Sequence, residues 1–336
     1  MIDVDGEAGG GQLLRTALTY AMLTETSVRV ENVRGNRPDP GLKPQHRAAV
    51  RVAAAVSDAD VDGEELGSET VEFDPRGLSG GHYEVDVGTA GSTTLLFDTL
   101  LPVATALDAP LSLTARGGTD VKWAPTMPYY RRVKLPLLRR FGLQAAVDAE
   151  RPGFYPVGGG KATLRLAPST LDPIRLAERG DEQGIRVYST AADSLANADV
   201  ADRQATRAVE RLDAMGHEVL ERSVTYAAAD CPGSVLCLRA DYDSTTTGFD
   251  ALGEKGMPSE DVADEAVDAF VAFAGGDAAV DTHMADQLLV FLALAGGELR
   301  VPSLTDHVET SLELLAQFGF ELTVSDDDSP TIASGI

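Results

Sequence analysis

Apolar positions along the chain recur at two spacings, in an order that appears three times. Residues 9–33 begin with a glycine turn, continue with a helical apolar period and end with the alternation of a strand. Residues 91–118 and 284–304 repeat this plan, and a second helix and another strand follow each copy. The second helices are predicted to begin near Pro44, Pro128 and Asp306. The pattern predicts an α/β (α+β) fold with three repeated units, each with two helices on a four-stranded sheet.

Residues 181–277 lie between the second and third copies and have strand and helix patterns of their own. We interpret this stretch as a smaller inserted α/β domain. Residues 1–180 and 278–336 then form one large catalytic domain that contains the three units.

Length and composition favour a folded intracellular protein. The chain has 336 residues, of which 43% are hydrophobic, enough for a sizeable core. No apolar run approaches the ~20 residues of a membrane span, and the N-terminus lacks the features of a signal peptide. The two cysteines, Cys231 and Cys237, are too few for disulfide bonds to stabilise a fold of this size. We therefore expect no membrane partner and a cytoplasmic location.

Acidic residues dominate the charge. Asp and Glu number 53 against 28 Lys and Arg, a formal net charge of −25 at pH 7. Concentrated salt screens such self-repulsion, so the composition predicts a halophilic protein. The alternative is an acidic protein that seeks a basic partner. It would concentrate its acid in runs, whereas here the acid is spread along the chain.

Two stretches are locally basic. Residues 29–51 carry six cations against two acids, and residues 116–140 carry seven against one. In an acidic chain such clusters indicate a site for a polyanion such as phosphate. The alternative is that these arginines pair with the abundant carboxylates.

The third copy contains the residues best suited to catalysis. In its second helix, Asp306 is the predicted N-cap and Glu309 completes a capping box, which places His307 in the first turn. The partial positive charge of a helix N-terminus favours neutral, nucleophilic imidazole and attracts phosphate. A solvated surface histidine would give the same pattern.

Upstream of this helix, His283, Asp286 and Gln287 share one helix face, which fits either nucleotide contact or simple N-capping. The glycine-rich stretches 6–12 and 88–93 open helices and fit phosphate binding. The sequence has no Walker loop, GxSxG, HExxH or zinc constellation, which argues against kinase and α/β-hydrolase functions.

Eight segments follow one another from residue 5 to about residue 320. They are GGGQLLRTAL, NRPDPGLKPQH, GTAGSTTLL, GGTDVKWAP, GFYPVGGG, LGEKG, ADQLLVFLALAG and the segment around His307. In this order they resemble the RNA 3'-terminal phosphate cyclase family. The resemblance implies three repeated α/β units and an inserted smaller domain, in agreement with the repeats.

The resemblance also implies a ligase that uses ATP as co-substrate and a divalent cation, Mg²⁺ or Mn²⁺. A histidine attacks the α-phosphorus of ATP, AMP passes to an RNA 3'-phosphate, and the neighbouring 2'-OH expels AMP to give a 2',3'-cyclic phosphate. The covalent intermediate splits a difficult transfer into easier displacements. Because the 2'-OH reacts, the expected partner is an RNA 3'-phosphate end and not DNA.

Site residues follow from motif position. His307 matches the family nucleophile, and Glu7 is the candidate metal residue. The adenylate pocket is matched by Asp98, Pro125, His283, Asp286 and Gln287. The substrate phosphates are matched by Arg15, Arg37, Lys43, Gln45 and His46.

Four positions depart from the family pattern. Lys43 stands where arginine is usual, which replaces a bidentate fork by a point charge. Asp98 stands where the family has a glutamine that contacts the nucleotide, and His283 replaces a tyrosine near the adenylate. Ala8 occupies the place of the family glutamate, with Glu7 one residue early, so Glu7 would need a bulge to reach a metal ion.

Two other functions fit parts of the sequence. A non-catalytic, RNA-binding relative of the cyclases would be expected to lack the nucleophilic histidine, whereas His307 is present. An enolpyruvyl transferase has similar repeated units, but it would leave His307 and the ADQ segment without a role.

Overall fold

The computed structural model describes residues 1–7 and 9–335. This part of the chain is a mixed α/β protein with four four-stranded sheets and ten α-helices, as the predicted fold class requires. Among its helices, none combines the length and hydrophobicity that a bilayer crossing requires.

The first sheet is formed by residues 2–74. Its elements are β1 (Ile2–Asp5), α1 (Gly10–Thr24), β2 (Val28–Glu31), α2 (Pro44–Ser57), β3 (Asp60–Asp62) and β4 (Val71–Asp74). The strand order is β1-β2-β4-β3, with β1 parallel to β2 and the other neighbours antiparallel. Helix α1 supplies the crossover that the parallel pair requires. It buries Leu14 and Leu18, one helical turn apart, in the core.

The second sheet repeats this topology. Its elements are β5 (Gly81–Asp86), α3 (Thr93–Leu100), β6 (Leu111–Gly117), α4 (Met127–Tyr129), α5 (Leu135–Arg140), β7 (Ala145–Arg151) and β8 (Gly160–Leu166). The order is β5-β6-β8-β7, again with only the first pair of neighbours parallel.

The second helix of this sheet is divided by a π-helical turn, Tyr130–Lys134, although the sequence predicted one helix from near Pro128. Pro136 has no N–H, so the carbonyl of Arg132 lacks its usual helical partner. The Arg239 guanidinium donates to that carbonyl over 2.9 Å instead. Such turns often occur at functional sites, and this one carries Lys134.

A sheet of different order follows β9 (Ile174–Leu176). Its elements are β10 (Glu182–Ala192), α6 (Val200–Ala214), β11 (Val219–Ala227), β12 (Ser234–Tyr242), β13 (Thr246–Gly253) and α7 (Ser259–Ala274). The strands are ordered β11-β10-β12-β13. The helices α6 and α7 bury a hydrophobic cluster against this sheet, around Leu212 and Phe270, separate from the main core.

The last sheet returns to the first topology. Its further elements are α8 (Thr282–Gln287), α9 (Leu289–Ala295), β14 (Gly297–Arg300), α10 (Asp306–Gln317), β15 (Leu322–Val324) and β16 (Thr331–Ser334). The order is β9-β14-β16-β15, with β9 parallel to β14. The sheet β9-β14-β16-β15 therefore takes its first strand from before the differently ordered sheet and its other three strands from after it. Helix α1 packs against α2, α3 and α10, which brings three of the sheets around one core.

Candidate active site

A cleft of about 970 Å³ opens where the first turns of α1, α2, α3 and α10 converge. Helix N-termini carry partial positive charge and favour anions. Five cations and five acids line the cleft, whereas the whole chain has 53 acids and 28 cations. The cations are Arg15, Arg34, Arg37, Lys122 and Lys134. The cleft is thus far less acidic than the rest of the protein and is suited to a polyanion.

Most of the predicted site residues line this cleft. They are Arg15, Arg37, Gln45, His46, Asp98, Pro125, His283, Asp286, Gln287 and His307. Lys43 is not among the described lining residues, because its ammonium pairs with the Asp39 carboxylate on a neighbouring loop. Glu7 is also outside the lining, with an exposed side chain, and Ala8 lies outside the described residues.

His307 lies in the first turn of α10, as predicted, but the cap differs from the prediction. Thr305 is the N-cap, and its hydroxyl accepts from the Val308 amide over 3.3 Å. Asp306 is already helical, so Glu309 lies one position too far along for a capping box. The His307 side chain is exposed at the cleft.

Gln12, in the first turn of α1, joins His307 to Asp286. Its amide nitrogen donates to Asp286 Oδ2 over 3.2 Å and to Ser311 Oγ over 3.0 Å. Its Oε1 therefore faces His307 Nδ1 and accepts a hydrogen bond from it. With the proton on Nδ1, the Nε2 lone pair of a neutral His307 is available to attack an electrophile.

Asp286 is half-buried behind Gln12. Burial raises the pKa of its carboxyl, while the nearby His307 and Lys134 oppose that shift. Asp286 Oδ2 accepts from the Gln12 amide nitrogen and thereby fixes the orientation of that amide. The sequence predicted that Asp286 orients the histidine or a ribose hydroxyl. In the structure, hydrogen bonds link Asp286 to the histidine through Gln12.

Lys134 lies at the base of the cleft with its side chain only 2% exposed. Its Nζ donates to Asp98 Oδ1 over 2.6 Å and to Gln287 Oε1 over 2.7 Å, and it lies 5.3 Å from the centre of the Tyr130 ring. Asp98 is therefore a partner of a buried cation, and its charge is compensated within the protein.

A second cluster joins α1 to α2. Burial, reinforced by Arg15, lowers the pKa of His46 to about 3, so this imidazole is neutral. Its Nδ1 accepts from the Lys43 amide over 3.3 Å, which leaves the proton on Nε2. A Cβ on Gly11 would lie 2.0 Å from His46 Nε2, so the close approach of the two helices requires glycine there.

Arg15 lies between the two clusters. Burial lowers its pKa to about 10, although Asp98 and Asp286 counteract the effect, so it remains charged at neutral pH. Gln45 reaches the other side of the cleft, where its Oε1 accepts from the Ser92 amide at the start of α3 over 2.8 Å.

Pro125 and His283 lie along one side of the cleft. The Pro125 carbonyl accepts from Thr94 Oγ1 over 2.7 Å, which holds the proline against α3. The His283 ring meets Tyr129 edge-on, at 6.0 Å between centroids. N-capping of α8 is performed by Asp281, so the polar face of α8 is left to line the cleft.

A protein-bound metal site does not form around Glu7. Its own backbone N–H donates to the Asp5 carboxylate, and within residues 1–7 and 9–335 no three His, Cys, Asp or Glu side chains are grouped to hold an ion. The residues present thus do not fit the metal role assigned to Glu7.

The sequence left open whether the cations of the two basic stretches form a polyanion site or pair with carboxylates, and the structure shows both. Arg29 and Arg51 pair with Glu72 and Glu64 at the surface. The cleft is lined by Arg37 from the first stretch and by Lys122 and Lys134 from the second.

Sequence reasoning missed Gln12 and Lys134 as site residues. Gln12 had a weak signal, because it follows the glycine triplet at a helix start, within the resembling segment GGGQLLRTAL. Lys134 is one of only five lysines in the chain, but its burial depends on a π-turn that sequence patterns do not show.

Fold and cleft together define a mixed α/β protein with a large polar cleft at converging helix N-termini. The family model described as RNA 3'-terminal phosphate cyclase matches residues 6–324. The chain belongs to this family, which confirms the family predicted from its segments.

The sequences of relatives align with this chain over nearly their whole length. The RNA 3'-terminal phosphate cyclase of Halobacterium salinarum strain R1 is 47% identical over 340 residues, 98% of each chain. The enzyme of that name from Ectopseudomonas mendocina is 38% identical, with 94% of this chain and 92% of the relative covered. A solved structure, the enolpyruvyl transferase NikO from Streptomyces tendae, gives a TM-score of 0.27 at 12% identity. It covers 99% of this chain and 65% of that chain, and so weak a likeness carries no weight here.

Proposed function

We propose that this chain is an ATP-dependent RNA 3'-terminal phosphate cyclase in which His307 is the nucleophile. The observation that carries the proposal is the hydrogen bond from His307 Nδ1 to Gln12 Oε1 within a polar cleft. Family membership and the names of the relatives support the reaction.

The chemistry follows from the free Nε2. His307 Nε2 attacks the α-phosphorus of ATP, the N–P bond forms, and the bond to diphosphate breaks. Gln12 Oε1 stabilises the positive charge that then develops on the ring. An RNA 3'-phosphate oxygen displaces the imidazole, which becomes neutral again. The RNA 2'-OH finally attacks the RNA phosphorus, AMP leaves with the bonding electrons, and the hydroxyl proton passes to solvent.

The remaining roles follow from motif position in the family resemblance, and the cleft lining supports them. Asp98, Pro125, His283, Asp286 and Gln287 hold the adenylate, and Arg15, Arg37, Gln45 and His46 surround the RNA phosphate. Lys43 is assigned a weaker, outer role, because it is engaged with Asp39. A divalent cation stays a prediction that rests on the family resemblance.

Self-labelling with α-labelled ATP tests the nucleophile. We expect an acid-labile label on the wild type and none on His307→Ala, because a phosphoramidate hydrolyses in acid. The matched control is His82→Ala, which removes an exposed histidine hydrogen-bonded to Ser112 outside the cleft lining. Labelling of His307→Ala would refute His307 as the nucleophile. A wild type that binds RNA without any label would refute the enzyme and support the non-catalytic alternative.

The domain organisation is proposed from topology. Three sheets share one strand order, and the differently ordered sheet lies between β9 and α8. We infer three repeated units and a small domain at residues 181–277, placed within the third unit after its first strand. Replacement of residues 181–277 by a short linker should leave a folded large domain, and a molten product would contradict the proposal.

We further propose that the protein works in a salt-rich cytoplasm. The net charge of −25 supports this, because screening reduces self-repulsion. Salt also weakens RNA binding by counterion release. An activity optimum at high salt therefore reflects a gain in folding stability and not a gain in RNA affinity. Unfolding midpoints and cyclase activity measured against KCl should both rise from dilute buffer. Full activity in dilute buffer would contradict the proposal.

A further inference from the structure

Trp123 is the single tryptophan of the chain, and its indole is 94% exposed while lining the cleft. Its φ of 60° lies in the left-handed region, which is unfavourable for a bulky side chain. A large aromatic ring held outward in an unfavourable backbone conformation, at the entrance of a functional cleft, requires an explanation that core packing does not supply.

The loop that carries Trp123 is fixed at both ends. The Met127 amide donates to Asp120 Oδ1 over 3.0 Å, and Asp120 is buried. The Thr126 amide donates to Asp250 Oδ2 over 3.2 Å. Lys122, beside the indole, pairs with Glu254 across the cleft lining over 2.5 Å. The ring is therefore presented by a braced loop, as a preformed stacking surface would be.

We propose that Trp123 stacks against a base at the 3' end of the RNA substrate and guides that end into the cleft. Every base has a π-face, so an exposed indole binds RNA ends without regard to sequence. The RNA chain must leave the cleft past its rim, where Trp123 lies. Because Pro125 and His283 are assigned to the adenylate, the exposed indole is left for the RNA. The inference rests on the proposed cyclase function.

Because Trp123 is the only tryptophan, wild-type fluorescence reports on it directly. The probe is a short RNA with a 3'-phosphate, titrated without ATP so that no reaction occurs. We expect quenching by this RNA, much weaker quenching by an RNA whose last nucleotides are abasic, and little change with ATP alone. Quenching by ATP equal to that by RNA would place the ring on the nucleotide and overturn the proposal, as would equal quenching by the abasic RNA.

Steady-state kinetics complete the test. Trp123→Ala should raise the KM for RNA about tenfold, the loss expected for one stacked base, and Trp123→Phe should recover most of it. The matched control is Leu66→Ala, which trims another exposed apolar side chain outside the cleft lining. An unchanged KM in Trp123→Ala, with an active wild type, would overturn the stacking role alone. A wild type that fails to cyclise RNA would instead refute the proposed function.

Discussion

The two ends of the cleft differ in how they hold their central side chain, which is buried at one end and exposed at the other. At its floor, defined here as Lys134, Asp98 and Gln287, an ammonium 2% exposed is held by two oxygens within 2.7 Å. At its mouth, defined as His307, Gln12 and Asp286, an exposed imidazole is held by one amide. The floor fixes charge in a buried environment, whereas the mouth fixes the orientation of an exposed imidazole ring. We infer that the floor determines the shape of the cleft and the mouth determines its chemistry.

The largest effect should follow from a change at the floor. Lys134→Met leaves Asp98 without its cation and Gln287 without its donor, and we expect a loss of about 3–5 kcal/mol in unfolding free energy. Denaturant unfolding in concentrated salt measures it. Lys161→Met breaks an exposed pair with Glu150 and should cost no more than about 1 kcal/mol. Addition of Asp98→Asn to Lys134→Met should recover part of the loss. A Lys134→Met protein as stable as the wild type would remove the distinction between floor and mouth.

A smaller effect is expected where α1 packs closely against α2, next to the mouth. Gly11→Ala places a methyl group 2.0 Å from His46 Nε2 and must displace a ring held by the Lys43 amide. Overpacking of this kind costs about 1–3 kcal/mol, partly offset by the helix propensity of alanine. Thermal unfolding should show the loss, and His46→Ala in the same chain should relieve it. Gly275→Ala is the matched control, because its added Cβ meets nothing closer than 3.7 Å.

A third change tests whether a buried carboxyl in the loop that carries Trp123 affects stability as the buried charge of the floor does. Burial raises the pKa of Asp120 to about 6, above its unfolded value. Its contribution to stability is therefore present at low pH and is lost as pH rises through about 6. Asp120→Asn stays neutral and keeps one oxygen that can accept from the Met127 amide. Relative to this variant, the wild type should lose about 2 kcal/mol between pH 4 and pH 7. Parallel stability curves across that range would show that Asp120 ionises as freely as an exposed carboxyl.

The sequence predicted the periodic and local parts of this molecule better than the parts set by tertiary contact. Helix starts at Pro44 and Asp306 lie within a residue of those in the structure, since apolar period and capping are local signals. The N-cap is Thr305 and not the predicted Asp306. Both residue types cap helices, and only tertiary packing determines which of the two residues does so. The role of Lys134 could not be predicted, because it depends on a π-turn and on partners in two distant helices.

The smallest effect on stability, and the sharpest test of the mouth, is expected for Gln12→Ala. The substitution removes the acceptor that holds the proton on His307 Nδ1, but it leaves the His307 ring and the Asp286 carboxylate in place. The rate of self-adenylylation should fall about tenfold or more, the range for loss of one positioned hydrogen bond. The unfolding midpoint should stay close to that of the wild type, because Gln12 lies at a partly solvated helix start. Gln144→Ala removes an exposed glutamine remote from the cleft lining and should alter neither quantity. If Gln12→Ala unfolded as readily as Lys134→Met, the mouth would be part of the structural framework. If it labelled at the wild-type rate, the imidazole would not depend on this amide for its tautomer, and the geometry that carries the proposed function would lose its role.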